Sequence, residues 1–192
     1  VTYPIVPKQL MIIDFLVIAV PSFVLALEPN NNIVTGNFLK KVFKTALPGA
    51  LTIVISALIV ILLSDSMGIG MIPEGVTELE AKFIGRERST IIVISATFTC
   101  WMVLFRVCRP FNILRGALFT LMFSLFVIAY LTMYDIFQLA PITHFFEQGN
   151  INKLLLMAFL MSSSYAMMII LSDGVEMVKE KIKDVVKSYK EK

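Results

Sequence analysis

Apolar residues fall in five continuous runs separated by short polar stretches. The runs extend from about Gln9 to Leu27, Ala46 to Leu63, Thr90 to Val107, Gly116 to Tyr134 and Leu154 to Leu171. At 1.5 Å per residue each is long enough to cross a hydrocarbon layer of roughly 30 Å as an α-helix. A transmembrane β-barrel would need alternating segments about ten residues long, and these runs do not alternate. The pattern predicts an all-α polytopic membrane bundle over residues 1–172, followed by a polar tail over 173–192. Punctuation agrees: Pro48 suits a first helical turn, where its missing N–H costs nothing. Ser89 or Thr90 can cap the third helix, and Asn112, after Pro110, the fourth.

Composition makes lipid the expected solvent. Of 192 residues 57% are hydrophobic and 16% charged, and the mean hydropathy is +0.83; soluble domains hold about 25% charged residues. A net charge of +3, set in short blocks, argues against a nucleic-acid partner. Cys100 and Cys108 share one run without metal spacing, and a disulfide within one helix is geometrically disfavoured; they read as small buried residues.

Lys and Arg set the expected orientation. One side receives Lys40, Lys41, Lys44, Arg106, Arg109, Arg115 and the tail, twelve of the seventeen basic residues. The other receives Lys8, Lys82, Arg86, Arg88 and Lys153, offset by Glu74, Glu78, Glu80 and Glu87. The first side is therefore expected to be cytosolic, with the N-terminus outside. An external start with no leader ahead of the first run, and an odd helix count, are the pattern expected of the C-terminal piece of a longer membrane protein.

The first run carries the chemistry. Asp14 lies inside it, where an ionised carboxylate costs at least a few kcal/mol unless it meets protein, water or a cation. Pro21 removes the hydrogen bond to the Val17 carbonyl and can loosen the one to Ile18. In a regular α-helix positions 14, 17, 18 and 21 share one face. A carboxylate and freed carbonyls on one side suit a hard cation, and broken helices are where transporters place ion sites. A proline kink with Asp14 bonded to a neighbouring helix accounts for the same residues.

These residues also resemble a family. Pro7-Lys8-Gln9-Leu10 through Asp14 to Val20-Pro21-Ser22-Phe23, then Ala26-Leu27-Glu28-Pro29-Asn30, resembles the sixth transmembrane helix of P-type cation-transporting ATPases. The basic loop ending Ala46-Leu47-Pro48-Gly49 looks like their link into helix seven. Arg109-Pro110-Phe111-Asn112 is similar to the link between helices eight and nine in bacterial members. The resemblance implies that the chain is helices six to ten of an ion pump. Its catalytic and nucleotide domains would lie upstream, Mg-ATP and a transported cation would be the parent's cofactor and cargo, and the bacterial plasma membrane its location. In the calcium pumps of this family helix six offers Asn, Thr and Asp as side-chain ligands. Here those positions hold Asp14, Val17 and Ile18, so Val17 and Ile18 offer only backbone oxygens and the two-calcium pattern is broken. Thr97 and Thr99 lie where helix eight could add a ligand, but bonding to a carbonyl of their own helix is the role expected of them first.

Elsewhere the residues imply packing. His144 reads as a surface or interfacial residue, Asp135 and Asp173 as helix ends, and Tyr3, Tyr130 and Tyr134 as interfacial aromatics. Ser162, Ser163 and Ser164 permit close helix approach. The eleven Met residues show no metal-thioether spacing, and phosphate-loop, Ser-His-Asp and zinc motifs are lacking, so catalysis is not expected of this chain alone. In the tail Val175, Val178, Ile182, Val185 and Tyr189 predict an amphipathic helix. It is expected to lie along the anionic inner leaflet, with an autoregulatory or coiled-coil role as the alternative. The expected partners are the lipid bilayer, the parent's upstream helices and cytosolic domains, and a cation. A non-enzymatic secondary transporter or scaffold is the competing class.

Overall fold

The computed structural model describes residues 5–29, 38–147 and 149–190, without the side chains of 38–41, 176 and 178–190. Every element among them is helical. The order is α1 (Pro7–Ile13), a π-helical stretch (Asp14–Ala19), α2 (Val20–Ala26), α3 (Phe38–Leu63), α4 (Glu78–Val107), α5 (Ile113–Met133), α6 (Ile142–Phe145) and α7 (Ile151–Lys190). The first three form one continuous rod. That rod and α3, α4, α5 and α7 are the five helices long and apolar enough to cross a membrane. The chain thus has one end carrying the 64–77 and 134–150 connections and another carrying the 108–112 link.

Several helices outrun their apolar runs. Helix α4 begins at Glu78, because Thr77 accepts the Glu80 N–H while Glu80 reaches back to the Thr77 N–H. This reciprocal cap outcompetes Ser89 and Thr90, which lie inside the helix as buried residues. Helix α3 begins at Phe38, so Pro48 lies in its interior rather than its first turn. Asn112 caps α5 as expected, accepting the Ile113 N–H at 2.7 Å. Helix α7 passes through Asp173 without a break and continues to Lys190. Of the tail's amphipathic positions Val175 is half-buried, while the side chains of Val178, Ile182, Val185 and Tyr189, like Tyr3, fall outside the described residues.

Helices α3, α4 and α7 pack against one another, whereas the first rod leans on α4 and α5. Gly49 on α3 lets α4 come close, since a Cβ there would sit 2.6 Å from Val103 Cγ2. Between α4 and α5 the space is filled by aromatic edges: Trp101 meets Phe119 and Phe123, with ring centroids 5.1 and 5.6 Å apart. Ser164 of α7 sits 3.2 Å from Thr99 Oγ1 of α4, a contact between small buried side chains. Phe15, Phe23, Leu62, Ile113 and Ile170 are among many large apolar residues facing outward. That outward surface is what a lipid-solvated bundle presents.

At the end carrying the longer connections, polar groups form a buried joint. Glu87 of α4 is fully buried and accepts Lys153 Nζ at 2.7 and 2.8 Å, His144 Nε2 at 2.8 Å and the Gly70 N–H at 2.9 Å. Gly70 has φ +79°, a conformation that presents its N–H to the carboxylate and that other residues adopt only with strain. His144 is 4% exposed, which corrects the surface reading; its partner lies 57 residues away, beyond the reach of local pattern. Tyr130 is likewise buried, its hydroxyl donating to the Ala140 carbonyl at 3.0 Å.

Candidate cation site

The first rod changes hydrogen-bond register where Asp14 enters it. From Asp14 to Ala19 the chain is π-helical, and the Val20 N–H donates to the Phe15 carbonyl, five residues back. Pro21 then supplies no N–H. The Leu16 carbonyl would accept from Val20 in an α register or from Pro21 in a π register. Val20 is engaged with Phe15 and Pro21 cannot donate, so neither register serves Leu16. For Val17 the α partner is again Pro21, which leaves Ser22 as its donor in the π register. The missing N–H of Pro21 therefore bears on the Leu16 carbonyl as well as the Val17 one, one position earlier than the α-helical expectation.

The same wide turn separates the expected ligands. A π turn advances each residue by a smaller angle than an α turn. Asp14 and Ile18 come out on the exposed side, while Val17, 4% exposed, and Pro21 are buried. The single face of 14, 17, 18 and 21 is thus divided in two. Asp14 looks outward from this bundle and lies within electrostatic reach of Cys100 on α4. Both cysteines are free thiols, Cys108 buried and Cys100 half-buried.

Thr97 and Thr99 are not brought to Asp14 by any described contact. Their hydroxyls donate within α4, to the Val93 carbonyl at 2.7 Å and the Ser95 carbonyl at 3.0 Å. Thr97 instead lines an apolar cavity of about 270 Å³ with Trp101, Phe126 and Met161. Among the described residues no three His, Cys, Asp or Glu side chains gather as a metal-binding group. Asp14 therefore offers one carboxylate and neighbouring backbone oxygens, fewer than the six to eight a calcium-like cation takes.

Sequence reading passes over Gln9, Glu87 and Lys153 as buried groups. Gln9 is 1% exposed and donates to Ser89 Oγ and to the Gln138 carbonyl, both at 2.8 Å. The available signal was an uncharged amide opening an apolar run, which needs partners once it is buried.

Five helices of spanning length, an apolar exterior and polar joints at the ends define a multi-pass helical membrane protein. The chain is similar to the "Probable cation-transporting ATPase exp7" of Streptococcus pneumoniae serotype 4, at 34% identity over 113 residues. The match covers 59% of this chain and 13% of that protein. Neither a protein-family model nor a solved structure matches the chain. Helical character and this similarity together support a membrane part related to cation-transporting ATPases.

Proposed function

We propose that the chain is the helix-six-to-ten region of a P-type cation pump and that its first helix supplies part of the intramembrane cation site. The observation that carries this reading is a lone carboxylate, Asp14, inside a membrane-length helix, at the start of a π stretch that runs up to Pro21, a residue with no N–H to donate. An ionisable group at that depth is a functional candidate by default. Asp14 and the Leu16, Val17 and Ile18 carbonyls would be the ligands, Pro21 the residue that keeps the helix open.

Asp14 faces outward, and the chain cannot fill a cation's coordination shell from the residues described. The missing ligands would come from upstream helices of a longer chain packed on that side. Mg-ATP would act on cytosolic domains of that longer chain, alternating access to the site. The orientation that fits places the end with Glu28 and Arg115 in the cytosol and the Glu87 joint outside.

The test is ATP-driven cation uptake into vesicles carrying the complete protein that contains this chain, screened against sodium, potassium, magnesium, manganese, calcium and a proton gradient. Uptake that needs ATP and forms an acid-stable phosphoprotein is the expected result. Cation movement without ATP would identify a secondary transporter, and no movement of any ion would leave a scaffold.

A further inference from the structure

The first rod is fastened at both ends and irregular in the middle. At one end Gln9 bonds Ser89 of α4 and the carbonyl of Gln138, while its own Oε1 accepts the Val6 N–H at 3.0 Å. At the other end Glu28, two residues past Ala26 and tied back to the rod by its N–H donating to the Leu25 carbonyl at 3.3 Å, meets Arg115 Nε of α5 at 2.7 Å, both side chains mostly buried. The same guanidinium donates to the Pro110 carbonyl at 3.2 Å and approaches that of Cys108 at 3.5 Å, which ties it to the α4–α5 link. The two fastenings thus hold to different elements, and the rod's described packing partners are those same helices, α4 and α5.

A π stretch holds one residue more than the α turns it replaces. Converting it to α register turns one half of a helix against the other by about 100° and changes the rod's length. A free rod would absorb that by sliding or spinning as a whole. A rod held at both ends cannot, so the change must appear in the segment between the fastenings, where Asp14 and the Leu16 carbonyl lie.

We propose that Gln9 and the Glu28–Arg115 pair are end clamps that confine any change of helical register to Asp14–Ala19, which makes them positioning residues for the cation site. The clamps stand on geometry alone; their effect on a cation rests on the pump reading above.

Two measurements separate the parts. In the first, the complete protein that contains this chain, in lipid nanodiscs, is followed by amide hydrogen exchange in Asp14–Val20. Gln9→Ala and Arg115→Gln should each raise exchange there about tenfold, the loss expected for a bond to a charged or buried polar partner, while α3 and α7 stay unchanged. Glu28→Arg combined with Arg115→Glu should restore the slow exchange. Unchanged exchange in Asp14–Val20, or an equal rise throughout the bundle, would overturn the clamps. In the second, the complete ATP-driven protein is assayed for its half-saturating cation concentration. Both single variants should raise it several-fold with maximal turnover retained, and the swapped pair should return it. An active pump with an unchanged cation requirement would overturn the positioning role. If the exchange result holds while the unmodified protein shows no cation-dependent turnover, it is the pump reading that fails.

Discussion

At the scale of single residues, what matters is how each polar group inside an apolar chain is satisfied. Glu87 has no water to turn to and instead gathers Lys153, His144 and the Gly70 N–H. Removing one member leaves a buried charge without its counterpart. Lys153→Met should therefore lower stability by roughly 3–5 kcal/mol, read from thermal unfolding in detergent, and adding Glu87→Gln should recover part of the loss. Asp135 is the exposed contrast. Hydrogen bonds from Lys82 and Arg86 hold its carboxyl below the usual aspartate range. A pKa lowered by folding contributes stability that is present above the unfolded value of about 4 and is lost as pH falls through the folded one. The unfolding midpoint should fall on acidification through that window, and Asp135→Asn should flatten the fall. An unchanged slope would assign Lys82 and Arg86 no role in holding the 134–141 connection.

At the scale of helices, close approach depends on what is missing. Gly49→Ala should cost about 1–3 kcal/mol by overpacking against Val103, and Val103→Ala in the same chain should relieve it; additive losses would mean that α3 and α4 do not meet there. Such contacts mark the limit of what the residue pattern discloses. Five helices are legible because apolar runs of spanning length have no other use, and Asn112 is legible because a cap acts on its nearest neighbour. The start of α4 is not, because the Thr77–Glu80 box extends a helix into polar residues that hydropathy assigns to a loop. The π stretch is half legible. Pro21 announces a lost hydrogen bond, but the turn before it can meet that loss by kinking or by widening, and only the fold shows that it widens. The bonds of Gln9 to Ser89 and Gln138 span 80 and 129 residues and those of Glu87 to His144 and Lys153 span 57 and 66, and local periodicity does not report them.

For the molecule as a whole, the bundle is lopsided. Helices α3, α4 and α7 pack together, while the first rod sits at the margin with Asp14 and Ile18 turned outward. A marginal, outward carboxylate fits the proposal made above, in which further helices of a longer chain complete the site. The proposed orientation is tested by single cysteines in a background lacking Cys100 and Cys108. Membrane-impermeant reagent applied outside intact cells should label positions near Glu78 and Glu147 and spare those near Lys41 and Arg109. The reverse pattern would turn the bundle over and place the Glu87 joint in the cytosol.

The central claim is that Asp14 belongs to a cation path, and substitution there tests it most directly. In the complete protein, properly inserted, Asp14→Ala should abolish or sharply weaken cation-dependent ATP turnover, while Ser163→Ala, a half-buried hydroxyl bonded within α7, leaves it intact. Asp14→Asn keeps the size and one oxygen but removes the charge. Failure as severe as that of Ala would indicate a divalent cation or a proton carried on the carboxylate, and partial activity with a raised cation requirement a monovalent ion held mainly by carbonyls. Turnover by Asp14→Ala equal to that of the unmodified protein would contradict the account, leaving Asp14 a structural residue and the ion path elsewhere.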